Sequence, residues 1–208
     1  MGTGAAALLL AMPSLAPAAV KTTACDGTLA SGTYGRVVVP AGASCFSVGP
    51  VRIRTGLFVR SGATFVLGDE EHPGNNGTIG GGVHATNAAS VQIHFATING
   101  GMSIHGGSGP FGPPFDVTWN TIEDSHINGA VTIAGYNGFW MGFIRNVVHG
   151  SVNLNDNMLE DPDGNEYVTN TIYGSLNCSG NSPAPQVGDS EGNLNHVTGA
   201  KTGQCAAL

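Results

Sequence analysis

Adjacent carboxylates at Glu123 and Asp124 are of a type and spacing that could do chemistry. A carboxyl pair is the minimum equipment for general acid/base hydrolysis of a glycosidic bond, although a solvated acidic turn accounts for the two more simply. Aromatic residues gather nearby at Tyr136, Phe139, Trp140 and Phe143, with Phe111, Phe115 and Trp119 upstream. Exposed rings of this kind stack on flat apolar ligand faces, so Trp119, Tyr136, Phe139 and Trp140 join Glu123 and Asp124 as candidate ligand-binding residues. The competing expectation is that the rings cover a thin core.

Two metal readings fare less well. His84, His105, His126 and His149 follow one another at 21, 21 and 23 residues, close to one structural repeat. Measured against the repeat described below they fall at different phases, so they are expected to point from different corners rather than form a row of ligands. Asp161-Pro162-Asp163-Gly164-Asn165-Glu166 matches a calcium loop at Asp161, Asp163 and Asn165. It lacks the required Gly at the sixth position and the Glu at the twelfth, where Ile172 stands, so a polar turn is the simpler expectation. No cofactor is expected.

These residues must be positioned by a repeat. The phrase apolar, any residue, Gly, small residue, apolar occurs at Ile79-Gly80-Gly81-Gly82-Val83, Ile98-Asn99-Gly100-Gly101-Met102, Ile127-Asn128-Gly129-Ala130-Val131, Val148-His149-Gly150-Ser151-Val152 and Ile172-Tyr173-Gly174-Ser175-Leu176. Its first residues lie 19, 29, 21 and 24 apart, a solenoid period. A second, overlapping repeat (Gly42-Ala43-Ser44-Cys45, Gly62-Ala63-Thr64-Phe65, Ala88-Ala89-Ser90-Val91) places the first coil near Val37. Within each repeat apolar residues alternate, as in Val91-x-Ile93-x-Phe95 and Val131-x-Ile133, which is the period of a strand with one buried face. Asn75-Asn76-Gly77, Gly135-Tyr136-Asn137-Gly138 and Asp163-Gly164-Asn165 supply turns.

The expected fold is therefore all-β: a single-domain right-handed parallel β-helix over 19–180, with about seven or eight coils and a length of about 35 Å. Ile79, Ile98, Ile127, Val148 and Ile172 are expected to form one inward ladder, with the phrase glycine taking positive φ at a corner. Gly106 to Pro114 reads as an inserted loop, Asp156 to Glu166 as an acidic bulge, and 181–208 as a cap folding back over the last coil. Arg52, Arg54 and Arg60 are expected to pair with Asp69, Glu70 and Glu71.

Composition narrows the setting. The chain has 208 residues, 33 of them Gly, only 10% charged, and a formal charge of -7, so nucleic acid is a poor partner. An apolar, Ala-rich leader ending Ala16-Pro17-Ala18 reads as a signal peptide over 1–18, too short for a bilayer span of about 20 residues, which implies a secreted protein. Four cysteines allow three pairings; Cys25 with Cys45 and Cys178 with Cys205 is favoured, because each pair would staple one end of the stack.

With the coils, the leader and the ending from Asn177-Cys178-Ser179-Gly180-Asn181 through Thr198-Gly199-Ala200-Lys201-Thr202-Gly203-Gln204-Cys205 in view, the chain resembles a group of small secreted actinobacterial β-helix proteins. The resemblance implies a pectin-lyase-like fold and export, and it brings no catalytic residues with it. The chemistry of better-known enzymes on that fold is not matched. Asn120-Thr121 and Asn170-Thr171 are each followed by Ile where a polygalacturonase carries Asp, and from Phe65 onward Arg145 is the only Arg available as a pectate-lyase base. The expectation is a secreted, non-catalytic protein with a structural or surface-associated role. The alternative is a polysaccharide-binding or polysaccharide-degrading module whose partner is cell-wall or extracellular polysaccharide.

Overall fold

The computed structural model describes residues 19–109, 119–188 and 192–208; the expected signal peptide and most of the inserted loop fall outside them. No helix occurs among the described residues. Alternating apolar residues produce short strands, and 20 of these join one sheet in which every pairing is parallel. Partners lie roughly one repeat apart in sequence, so the chain returns to the same place layer after layer.

The strands fall into three columns. One carries the expected ladder: Ile53 pairs with Ile79, Ile79 with Ile98, Ile98 with Ile127, Ile127 with Val148, and Val148 with Ile172. All of these are fully buried. A second column stacks Leu57, Val83, Met102, Val131, Val152 and Leu176. The third stacks Leu67, Ile93, Ile122, Phe143 and Tyr167, and it positions the candidate site. Burying each such side chain contributes about 1.5–3 kcal/mol, and the three inward rows meet in one continuous core.

The phrase glycine has a different cause from the expected one. Positive φ does not fall on Gly100, Gly129, Gly150 or Gly174. A Cβ on Gly150 would lie 2.6 Å from backbone atoms of Gly129 and Ala130 in the layer beneath, and one on Gly174 would lie 2.6 Å from those of Gly150. Glycine is required because stacked backbones touch there. Positive φ instead occupies a neighbouring corner, on Phe95 (54°), Asp124 (48°), Arg145 (54°) and Thr169 (56°). Behind that corner, Ser125 accepts no turn glycine but a side-chain ladder: its N–H donates to Asn146 Oδ1, the Asn146 N–H to Asn170 Oδ1 and the Asn170 N–H to Asn195 Oδ1. This buried amide row supplies the hydrogen bonds that corner backbone would otherwise lack.

Both ends differ in detail from expectation. Pairing begins at Thr22–Ala24, ahead of Val37. Beyond the Pro-rich run, strands resume: His196–Val197 pairs with Thr171–Ile172, and Lys201–Gly203 pairs with 176–178, extending the same columns. Asn195 and Gln204 continue the amide ladders, which is why this segment accepts another layer. The favoured disulfides are both present, Cys25–Cys45 near one end and Cys178–Cys205 near the other. No helix among the described residues is long and apolar enough to cross a membrane.

Candidate functional site

Strand alternation builds the site. In Trp119–Glu123, Ile122 points into the core, so Trp119, Thr121 and Glu123 share the opposite face. The strand beneath, Ser90–His94, places Gln92 beside Thr121 and His94 beside Glu123. The strand above, Trp140–Ile144, sets Trp140 opposite Trp119. The two indoles meet edge-on, with centroids 6.2 Å apart and planes at 71°. Gly142 makes this arrangement possible, because a Cβ there would collide with the Trp140 ring.

Asp124 and Arg145 occupy the same left-handed corner in adjacent layers, and this brings their side chains side by side. Arg145 donates from Nε and Nη2 to the two Asp124 oxygens, each at 2.8 Å. Its Nη2 also donates to Glu70 at 2.9 Å and to Glu123 at 3.2 Å. The oxygens of Glu70, Glu123 and Asp124 lie within 4.8 Å of one another, a spacing that would suit a metal ion. Here the guanidinium touches all three, so the protein supplies the positive charge itself. These contacts hold Arg145 firmly protonated, the hydrogen bond to Asp124 contributing most.

These groups border an open cleft of about 820 Å³. Trp119, Trp140 and Phe139 line it together with Gln92, His94, Thr121 and Arg145, and with five carboxylates: Asp69, Glu70, Glu71, Glu123 and Asp161. Asp69, Glu70 and Glu71 come from the loop after Thr64–Leu67, whereas Asp161 comes from the loop before Asn165–Val168. Glu123 is buried rather than lying on a solvated turn. Burial pushes its carboxyl above the ordinary 4.5, against the opposing effects of a hydrogen bond from Thr121 and the charge of Arg145. Burial likewise pushes His94 below the ordinary 6.5. His94 Nδ1 lies 3.7 Å from Glu123, too far for a hydrogen bond. That nitrogen and Gln92 Nε2 are buried without a hydrogen-bond partner among the described residues.

The structure thus gathers Trp119, Phe139, Trp140 and Glu123 into one place, with Asp124 just behind Arg145. Tyr136 does not belong with them. It is fully buried in the core, where burial raises its hydroxyl well above the ordinary 10. The calcium candidates are engaged in contacts within the protein. Asp161 Oδ1 accepts from the Asp163 N–H at 3.0 Å, a polar turn, while Asn165 is buried and hydrogen-bonded to Pro183 and Tyr167. The four histidines stand in no common row: His84 stacks on Phe58, and His149 stacks on Tyr173. Arg60 and Arg36 lie over the Phe58 ring, and none of Arg52, Arg54 and Arg60 forms an ion pair with Asp69, Glu70 or Glu71 among the described residues. Glu70 pairs with Arg145 instead, because the loop carrying it folds across the third column.

The sequence reading passed over His94, Gln92 and the partnership of Arg145, and it gave Glu70 a different arginine. A signal existed for two of them. Asp124 and Arg145 are 21 residues apart, and His94 and Glu123 are 29 apart, each equal to one observed step of the repeat. Comparison of the chain with family models, with curated proteins and with solved structures found no match.

Proposed function

We propose that the protein is an exported, right-handed parallel β-helix that binds polysaccharide in the cleft of its third strand column. The solenoid reading is supported by parallel pairing at one-repeat steps in three columns. Export is supported by two disulfides, which persist in oxidising compartments. The observation that carries the functional reading is the Trp119–Trp140 pair, in register on adjacent strands within a cleft that also holds carboxylates and buried amide and imidazole groups. Indole faces supply area for sugar rings, and the polar groups orient hydroxyls. The expected structural role rested on missing polygalacturonase and pectate-lyase residues; binding without catalysis is compatible with that absence.

A glycan array probed with the folded chain tests the proposal. Binding to a polysaccharide, lost in Trp140→Ala with an unchanged circular dichroism spectrum, is the expected result; a silent array counts against it. Burial of Glu123, which raises its carboxyl above the ordinary 4.5, favours a second reading, cleavage of the bound glycan with Glu123 as general acid. Release of reducing ends that stops in Glu123→Gln would establish it.

A further inference from the structure

Charge in the cleft is unevenly matched. Five lining carboxylates face a single lining guanidinium, Arg145, and that group is engaged with Glu70, Glu123 and Asp124. Its Nε and Nη2 already donate to the protein's own carboxylates, so its charge is largely spent before an acidic ligand arrives. The other arginines sit in the first layers, at Arg36, Arg52, Arg54 and Arg60, and none lines the cleft; Lys201 lies in the last layer, bonded to the carbonyl of Leu208. His94 stays uncharged near neutrality because burial opposes its protonation. Any uronate carboxylate entering here would meet like charge and find no counter-ion.

The same arrangement suits a cation. Glu71 is exposed and Asp161 half-buried, on two separate loops of the lining, while Trp119 and Trp140 offer faces that attract ammonium as well as sugar. Beneath them, Gln92 and His94 are each 6% exposed and carry nitrogens without a partner among the described residues, the mark of groups prepared to meet ligand polar atoms. A neutral imidazole has one acceptor nitrogen and an amide has donors, so the pair matches the amine and hydroxyl groups of an amino sugar.

Taking the cleft as a sugar site, we propose that it selects glycans bearing free protonated amines, of the glucosamine-oligomer type, and rejects uronate chains. Calorimetry with the full chain at about pH 6.5 and low salt compares glucosamine hexamer, its N-acetylated counterpart and galacturonate hexamer. The glucosamine oligomer should bind at least about tenfold more tightly than the acetylated one, and the galacturonate should not bind. The advantage should shrink in about 0.5 M NaCl, where the screening length falls below about 5 Å. It should also shrink in Glu71→Gln combined with Asp161→Asn, two changes at accessible sites that leave the core untouched. If the acetylated or acidic oligomer binds as well as the amine, the charge selection is wrong while the sugar cleft stands. If none of the three binds, the sugar reading itself fails. Oligolysine binding that survives Trp140→Ala would also overturn the proposal, since the acidic groups alone would then account for it.

Discussion

Replacing Arg145 by Ala removes the guanidinium shared by Glu70, Glu123 and Asp124. Their oxygens, within 4.8 Å of one another, then face each other unscreened. Two carboxylates at such a separation repel by about 3.5 kcal/mol at an effective dielectric constant of about 20. Much of that is relieved, because Glu70 is exposed and swings into water, while Glu123 takes up a proton more readily still. A net loss of about 2 kcal/mol at pH 8 is expected, below the 3–5 kcal/mol typical of breaking a fully buried pair, so Tm should fall by about 4–8 °C. The defect should be smaller at pH 5 than at pH 8, because burial already raises the Glu123 carboxyl above the ordinary 4.5 and losing Arg145 raises it further, so protonation relieves the repulsion as pH falls. Calcium should restore part of the stability of the variant and leave the parent unchanged, because the three carboxylates would gain a cation to replace the lost one. The backbone at position 145 keeps its positive φ, so Arg145→Lys, which retains charge without the two-pronged geometry, should fall between the two. Thermal melts at both pH values, with calcium or with chelator, give the answer. Equal stability of parent and Arg145→Ala at pH 8, or a defect independent of pH, would refute the idea that Arg145 acts as the resident cation.

Gly150→Ala should lower stability by about 1–2 kcal/mol, because overpacking against backbone outweighs the modest gain expected from a stiffer unfolded chain. Gly74→Ala, where a Cβ meets nothing within 4 Å, should be neutral or slightly stabilising; a stabilised Gly150→Ala would sink the account of touching layers. The pH dependence of Glu123→Gln has a definite sign. Because the folded-state value of Glu123 lies above 4.5, the folded chain holds a proton the unfolded chain has lost, so this group removes stability as pH climbs from about 4.5 through its folded value. His94 acts oppositely: its folded value lies below 6.5, so stability falls as pH drops from 6.5 through that value. Melting temperatures of Glu123→Gln relative to the parent should therefore rise with pH above about 4.5, and parallel profiles would show that Glu123 is not destabilised by burial.

The inward ladder from Ile79 to Ile172 was legible because it needs only local information: an apolar residue two before a glycine, repeated at one coil length. The disulfide pairing was legible for a similar reason, since each pair spans about one repeat near one end. The phrase glycine was recognised for the wrong cause, as positive φ and close stacking leave the same letter in a sequence. Tyr136 was placed with Phe139 and Trp140 because three neighbouring aromatics look alike until strand direction is known. One of them turns inward and the other two do not.

The amino-acid sequence by itself determined the all-β character, the core positions and the residue types available for binding, because propensity, alternation and repeat length act over a few residues. Only the tertiary structure decided that Gln92, His94, Glu123 and Arg145 meet the Trp119–Trp140 pair in one cleft. The layers advance by steps that vary between 14 and 29 residues, so the register that brings distant charges together depends on how each loop is accommodated. Burial then does what no spacing could announce: it raises the proton affinity of one acid and lowers that of one histidine, while hydrogen bonds commit the one nearby guanidinium to the protein's own carboxylates.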